Sequence, residues 1–275
     1  MIRAYESICA QQRAWADQKG IKVDNDGYTL RLRDNLFQSL SPETEEEFKS
    51  GKGDELGSGD DRGKMQALHS SSALVLNVFE YWRNRNVDEI ASVSGAPKGM
   101  TEMRFEQSHP TPLGGIPPHL DVEFRGIGVS PLAIESKFTE TYQRHTKRSI
   151  KEDYFSKPGL WVTLPKCENL AKRIHEEEQR GTSFIYLDAP QLLKHILGLT
   201  TTFGPTGFEL LYLWYEVPSS EAERHRTEIK NFGKYIGDEV CFRDMTYQEL
   251  FKVLKKCPSA NENYISYLGQ RYLLS

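Results

Sequence analysis

Residues 119–140, HLDVEFRGIGVSPLAIESKFTE, constrain the fold of this chain more than any other stretch. Gly126, Gly128 and Pro131 lie between two apolar runs, which is loop chemistry joining two strands. Side chains alternate faces along a strand. On the first strand Val122 and Phe124 share one face, so Asp121 and Glu123 share the other. On the second, Leu132, Ile134 and Ser136 point one way, while Ala133, Glu135, Lys137 and Thr139 point the other. An antiparallel hairpin turning around Gly128 sets Asp121 opposite Glu135 and His119 opposite Lys137, with cross-strand Cα atoms about 5 Å apart. A slip of two residues changes the partners but keeps the face.

Two carboxylates and an ammonium converging from a hairpin suit phosphodiester hydrolysis. The carboxylates can share a hard divalent cation that takes oxygen ligands and keeps several waters. Such a cation polarises a phosphoryl oxygen and acidifies water. A lysine two residues past the second acid lies on the same face, where it can orient the attacking water and offset developing charge. Spacing alone favours an ordinary hairpin whose wet face carries Asp, Glu and Lys, because acids and lysines are common on strand surfaces.

The pattern Asp121, thirteen residues, then Glu135-Ser136-Lys137 resembles the signature of the PD-(D/E)XK nuclease superfamily, with Leu120 in place of the proline that often precedes the first acid. Gly51-Lys52-Gly53-Asp54-Glu55-Leu56, the run His69-Ser70-Ser71-Ser72-Ala73-Leu74, and Glu135-Ser136-Lys137-Phe138-Thr139-Glu140 resemble a restriction-endonuclease-like bacterial group of that superfamily. The resemblance implies an α/β (α+β) fold with a helix–three strands–helix–strand core, its central mixed sheet flanked by helices. It implies a metal-dependent nuclease acting on DNA. Asp121 and Glu135 would bind Mg²⁺ or Mn²⁺ with the Ser136 backbone carbonyl, and Lys137 would act on the water in an in-line attack that leaves a 5′ phosphate. The candidate third acid is Glu106 or Glu55. A restriction role brings with it a companion methyltransferase, and cutting both strands a homodimer.

The bulk numbers set the limits of that reading. At 275 residues the chain has ample material for a core. We expect an N-terminal helical and loop extension over residues 1–66 and the core, with inserted and C-terminal helices, over 67–275. The net charge of −4 gives no global field toward nucleic acid, so any DNA contact comes from a local patch. The four cysteines are scattered, without a CxxC pair. No signal-peptide pattern occurs, and no apolar run approaches the roughly 20 residues of a membrane helix. The expectation is a reducing, cytoplasmic setting.

In chain order, residues 2–19 read as a helix ended by Gly20, and 28–32 as a small strand. Ser41-Pro42 followed by acids is a helix start. Residues 49–64 have loop composition. A phosphate-loop reading fails there, because the glycine spacing is one residue too long and Met65 stands where Ser or Thr must bind a cation. The loop reads as a flexible surface segment, with Glu55 as its one candidate site acid. Residues 70–83 form a serine-capped helix, and 100–107 a strand with Met103 and Phe105 inward and Glu102, Arg104 and Glu106 on the other face. Arg144, Lys147, Arg148 and Lys151 fall at helical spacing, one stripe that either contacts a phosphate backbone or is a solvated face. Tyr142, Tyr154, Phe155 and Trp161 nearby could stack on bases or fill the core rim. His175-Glu176-Glu177-Glu178-Gln179 lacks the second histidine of a zinc-protease motif. Helices follow at 165–180 and 189–199, and a short strand or buried segment at 184–187. The run 208–217 is a strand buried on both faces. A helix at 219–232, an edge strand at 240–243 and closing helices at 246–256 and 261–274 complete the chain.

Three other functions fit these residues: a binding module that grips DNA or a partner without cutting, an RNA hydrolase, and an interaction protein whose hairpin acids face solvent.

Overall fold

The hairpin is the middle of a five-stranded sheet whose spatial order follows the chain, β1 (Met100–Ser108), β2 (His119–Gly126), β3 (Val129–Lys137), β4 (Glu209–Trp214) and β5 (Cys241–Thr246). The first three strands are antiparallel, and β4 and β5 run parallel to β3. The computed structural model describes residues 3–51, 53–58, 61–115, 117–144, 150–177 and 184–273.

The helices are α1 (Ala4–Gln18), α2 (Pro42–Ser50), α3 (Ser71–Phe79), α4 (Val87–Val93), α5 (Asp153–Ser156), α6 (Pro165–Glu177), α7 (Ala189–Phe203), α8 (Ser220–Ile236), α9 (Tyr247–Leu254) and α10 (Glu262–Tyr272). Many of them start where the sequence offers a cap. The hydroxyls of Ser41, Ser70, Ser219 and Thr246 each accept the backbone N–H three residues on, satisfying a donor that the helix leaves orphaned. Helix α3 is buried from Ser72 to Phe79, beyond the single apolar stripe expected of it. It is a true core helix, with Phe79 edge-on to Phe124 at 6.0 Å. The strand expected at 28–32 is only a pair of isolated bridges, Val23 to Thr29 and Tyr28 to Ala67, followed by a 3-10 turn. Residues 184–187 form no strand; the N–H groups of Ile185, Tyr186 and Leu187 all donate to the Glu228 carboxylate on α8.

The sheet carries helices on both faces. Met103, Phe105, Val122, Phe124, Leu132 and Ile134 are buried on the side of α3, α4 and α9. The opposite face, with Ala133, Leu210 and Tyr212, lies under α7 and α8. Strand β4 is buried at every position after Glu209. No helix among the described residues is long and apolar enough to cross a membrane.

The hairpin is tighter than a pivot on Gly128. Its turn is Ile127–Gly128, with Gly126 paired to Val129. Continued unbroken, that register would put Asp121 across from Ile134. A bulge prevents this: β3 spends Ser130 and Pro131 against Arg125 alone before Leu132 pairs Phe124. Proline has no N–H for the ladder, so the extra residue falls where it disrupts least. The shifted register pairs Val122 with Ile134 and carries Asp121 to the level of Glu135.

The chain ends are clasped through Arg271, which is fully buried on α10. It donates to Gln12 Oε1 (2.9 Å) on α1, to the carbonyl (2.7 Å) and side-chain oxygen of Asn35, and to the Leu68 carbonyl (3.3 Å). Its guanidinium also lies over the Trp15 ring at 4.2 Å. Arg271→Met keeps the bulk but strands these acceptors in the interior. We expect it to lower unfolding stability by about 3 kcal/mol, read as a fall in the urea midpoint. An unchanged midpoint would show that the clasp contributes nothing net.

Candidate active site

The β2–β3 ladder stops at Val122–Ile134, and there the two strands part. Strand β2 stays with β1, pairing Leu120 with Gln107 and His119 with Ser108. Strand β3 stays with β4, pairing Glu135, Ser136 and Lys137 with Tyr212, Leu213 and Trp214. In this fork the Asp121 carboxylate replaces the missing backbone acceptor: the Ser136 N–H donates to its Oδ2 at 2.7 Å. In an extended strand the N–H and C=O of one residue leave the same edge, so with its N–H on Asp121 the Ser136 carbonyl is directed to that edge as well. The Ser136 hydroxyl points through the sheet instead, sharing a hydrogen bond of 2.7 Å with the buried Tyr247 hydroxyl of α9.

Glu135 and Lys137 share the Asp121 face, as strand alternation requires. Glu135 is 1% exposed, and Lys137 donates to its Oε1. His195 of α7 is also buried, with Nε2 2.9 Å from Glu135 Oε2. Despite the cost of burial, Lys137 and His195 hold the Glu135 carboxyl well below its ordinary value. Asp121 goes the other way. Burial and then the charge of Glu135 push its carboxyl well up, with Glu106 adding to the shift and Lys137 and the Ser136 N–H only partly offsetting it.

Both candidate third acids belong to this electrostatic cluster. Glu106 is not the exposed strand residue that its position in β1 suggests; its side chain is 12% exposed and its φ is +51°. Burial, then Glu55, then Glu135 push its carboxyl up to about 7. Glu55 is half-buried, raised first by burial and steadied by the Ser72 hydroxyl on α3. Its loop is not a free surface segment. The carbonyl of Glu55 accepts the Met65 N–H at 3.0 Å, and Gly57 and Gly63 pass so close that a Cβ on Gly63 would stand 2.3 Å from the Glu55 carbonyl oxygen. The glycines are there for backbone contact and not for a phosphate.

Other expectations do not hold. His119 is not across from Lys137; it pairs with Ser108, and its Nδ1–H donates to the Glu106 carbonyl at 3.0 Å. Arg144 and Lys151 are exposed and non-helical, so they are not part of a helical stripe. Lys147 and Arg148 lie outside the described residues. Tyr142 and Trp161 are buried, which makes them core side chains. His195 was missed because it sits among Leu192, Leu193, Ile196 and Leu199 in a helix that reads simply as core. Its one signal was a lone histidine on that apolar face.

Among the described residues no three His, Cys, Asp or Glu side chains gather closely enough to hold a metal ion unaided. The donor set is all oxygen: two carboxylates at the fork and a carbonyl beside them. On the Asp121 side Lys137 offsets the repulsion between the acids only in part. That set fits a hard cation which keeps most of its waters.

This architecture and site define a restriction-endonuclease-like α/β protein. The chain belongs to the family described as Restriction Endonuclease associating with ARP, which it matches over residues 3–273. No curated protein and no solved structure matches it.

The raised Glu106 carboxyl has a consequence for stability. Unfolded, it ionises near 4.5; folded, near 7. Between those values the folded state binds more protons, so stability is fullest below the lower one and is lost as pH rises through the upper. In EDTA, Glu106→Gln is expected to remove this decline and to be more stable than the parent at pH 8 by about 1–3 kcal/mol. Parallel pH–stability curves for the two proteins would refute the assignment.

Proposed function

We propose that this chain is a metal-dependent nuclease hydrolysing DNA phosphodiesters, with Asp121, Glu135 and Lys137 as its catalytic residues. The observation that carries the reading is the fork, where a carboxylate pinned by a backbone N–H and a second carboxylate held by a lysine meet on one face of the sheet. Membership in a restriction-endonuclease family supports the same chemistry. Asp121, Glu135 and the Ser136 carbonyl would hold Mg²⁺ or Mn²⁺, with Glu106 or Glu55 as a further acid. The cation supplies Lewis acidity toward the phosphoryl oxygen and makes water a competent nucleophile.

The chain's own groups do the rest. Lys137, on the cluster face, orients the attacking water and offsets charge that develops at phosphorus. It is also the counter-charge that keeps Glu135 ionised in a buried place. His195 would act through Glu135, whose second oxygen lies 2.9 Å from its Nε2. Attack in line would leave a 5′ phosphate. Under this reading the protein works in the cytoplasm beside the ARP-type partner that the family description names. A companion methyltransferase and a homodimer are the further partners that double-strand restriction calls for.

The test is cleavage of plasmid DNA, single-stranded DNA and RNA in Mg²⁺ or Mn²⁺ against EDTA. We expect metal-dependent cutting of DNA, reduced about 10²–10³-fold in Lys137→Ala. Asp121→Asn should abolish cutting yet be no less stable than wild type in EDTA at pH 8, because it removes a carboxylate that burial penalises. Undiminished turnover in Lys137→Ala would sink its role, and preferential cutting of RNA would reassign the substrate.

A further inference from the structure

A groove of about 1040 Å³ opens between the 108–118 connection and the segment around α5, with Lys194 of α7 on its wall. Among the described residues that line it, three are lysines, Lys151, Lys157 and Lys194, and one is a carboxylate, Asp153. In a chain of net charge −4 such a local excess of cations stands out against the overall sign. Tyr154 offers a half-buried ring, with the Lys194 ammonium 5.9 Å from its centre. Lys157 reaches across to donate to the Pro112 carbonyl, which leaves its ammonium two further N–H donors.

The position of the groove gives these cations a use. Pro117 and Pro118 on one wall run directly into His119 and Asp121 on β2. Lys194 on the other precedes His195, which touches Glu135. Two separate elements thus link the groove to the fork, one reaching Asp121 three residues after Pro118 and the other placing His195, the neighbour of Lys194, against Glu135.

We propose that this groove is a binding site for a nucleic-acid strand, leading its phosphodiester backbone to the fork. Lys151, Lys157 and Lys194 contact phosphates, and the Tyr154 ring takes a base by stacking. The proposal rests on the nuclease reading above and adds to it a strand path and three residues, Lys157, Lys194 and Tyr154, outside the catalytic set. The contacts are to backbone and to any base face, so they supply affinity without sequence preference. A run of acidic side chains meets the lysines but gains nothing from being led to a cluster of carboxylates. A phosphodiester chain is what the fork would act on.

The experiment is fluorescence anisotropy of a labelled 20-nucleotide DNA, single-stranded and duplex, on the Lys137→Ala protein in Mg²⁺ as KCl is raised. Lys157→Gln and Lys194→Gln should each flatten the slope of log affinity against log salt by about 0.7–0.9, one phosphate contact apiece. Tyr154→Ala should weaken single-strand binding about tenfold. Lys256→Gln, an exposed lysine beyond the end of α9, changes net charge equally and should leave the slope alone. With Lys137 restored, the groove variants should raise KM and keep kcat, as loss of uniform binding does. DNA binding that is unchanged in the groove variants, or equally flattened in Lys256→Gln, overturns the groove and leaves the nuclease reading standing. A parent protein that neither binds nor cuts DNA overturns both.

Discussion

A single extra residue in β3 decides whether this molecule has a site. With the two-residue turn alone, Asp121 would face an isoleucine, and the acids would be split between the two sides of the sheet. The bulge at Ser130–Pro131 moves the register by one, and a shift of one exchanges every side chain across a strand pair. The fork then follows from pairing. Strand β3 is drawn to β4 by three more parallel pairs after Ile134, while β2 continues on β1. Ser136 is left with a backbone N–H and no ladder partner, and Asp121 is the acceptor at hand. A buried N–H left unpaired is costly, so this bond both closes the sheet and pins the carboxylate.

The electrostatics of the fork run against folding. Asp121, Glu106 and Glu55 are each pushed up first by burial, and a neighbouring carboxylate adds to every one of these shifts. Among these acids Glu135 alone is lowered, by Lys137 and then His195 against the cost of burial. A structure selected only for stability would not gather carboxyls in this way. Under the proposed nuclease reading a divalent cation would complete the charge balance, joining the stability cost and the chemistry in the same residues.

The rest of the fold holds these strands still. Helix α3 is buried on nearly every side against β2 and β3, and α9 meets β3 through the Tyr247–Ser136 bond. Helix α10 brings Arg271 back to α1 and to the turn at Asn35. These contacts span most of the chain, so the position of Asp121 depends on elements near both ends of it.

Much of this was legible in the residues alone. Alternation sorted Asp121, Glu135 and Lys137 from Ser136, and the serine and threonine caps marked helix starts, because both signals are local and carried by neighbouring residues. The family resemblance implied the mixed sheet between helices, and periodicity gave the hairpin and the doubly buried β4. It could not give His195, which looks like any other member of an apolar helix until α7 is laid over Glu135. Nor could it bring Glu55 and Glu106 in from separate segments, or show that Lys157 and Lys194 line one groove. Nor could spacing show that Arg144 and Lys151 stand outside any helix, since spacing describes a helix only where packing makes one. What the sequence determined by itself is the chemistry on each strand face. Only the tertiary structure decided which faces meet, since contacts between distant segments depend on pairing and burial that no local pattern records.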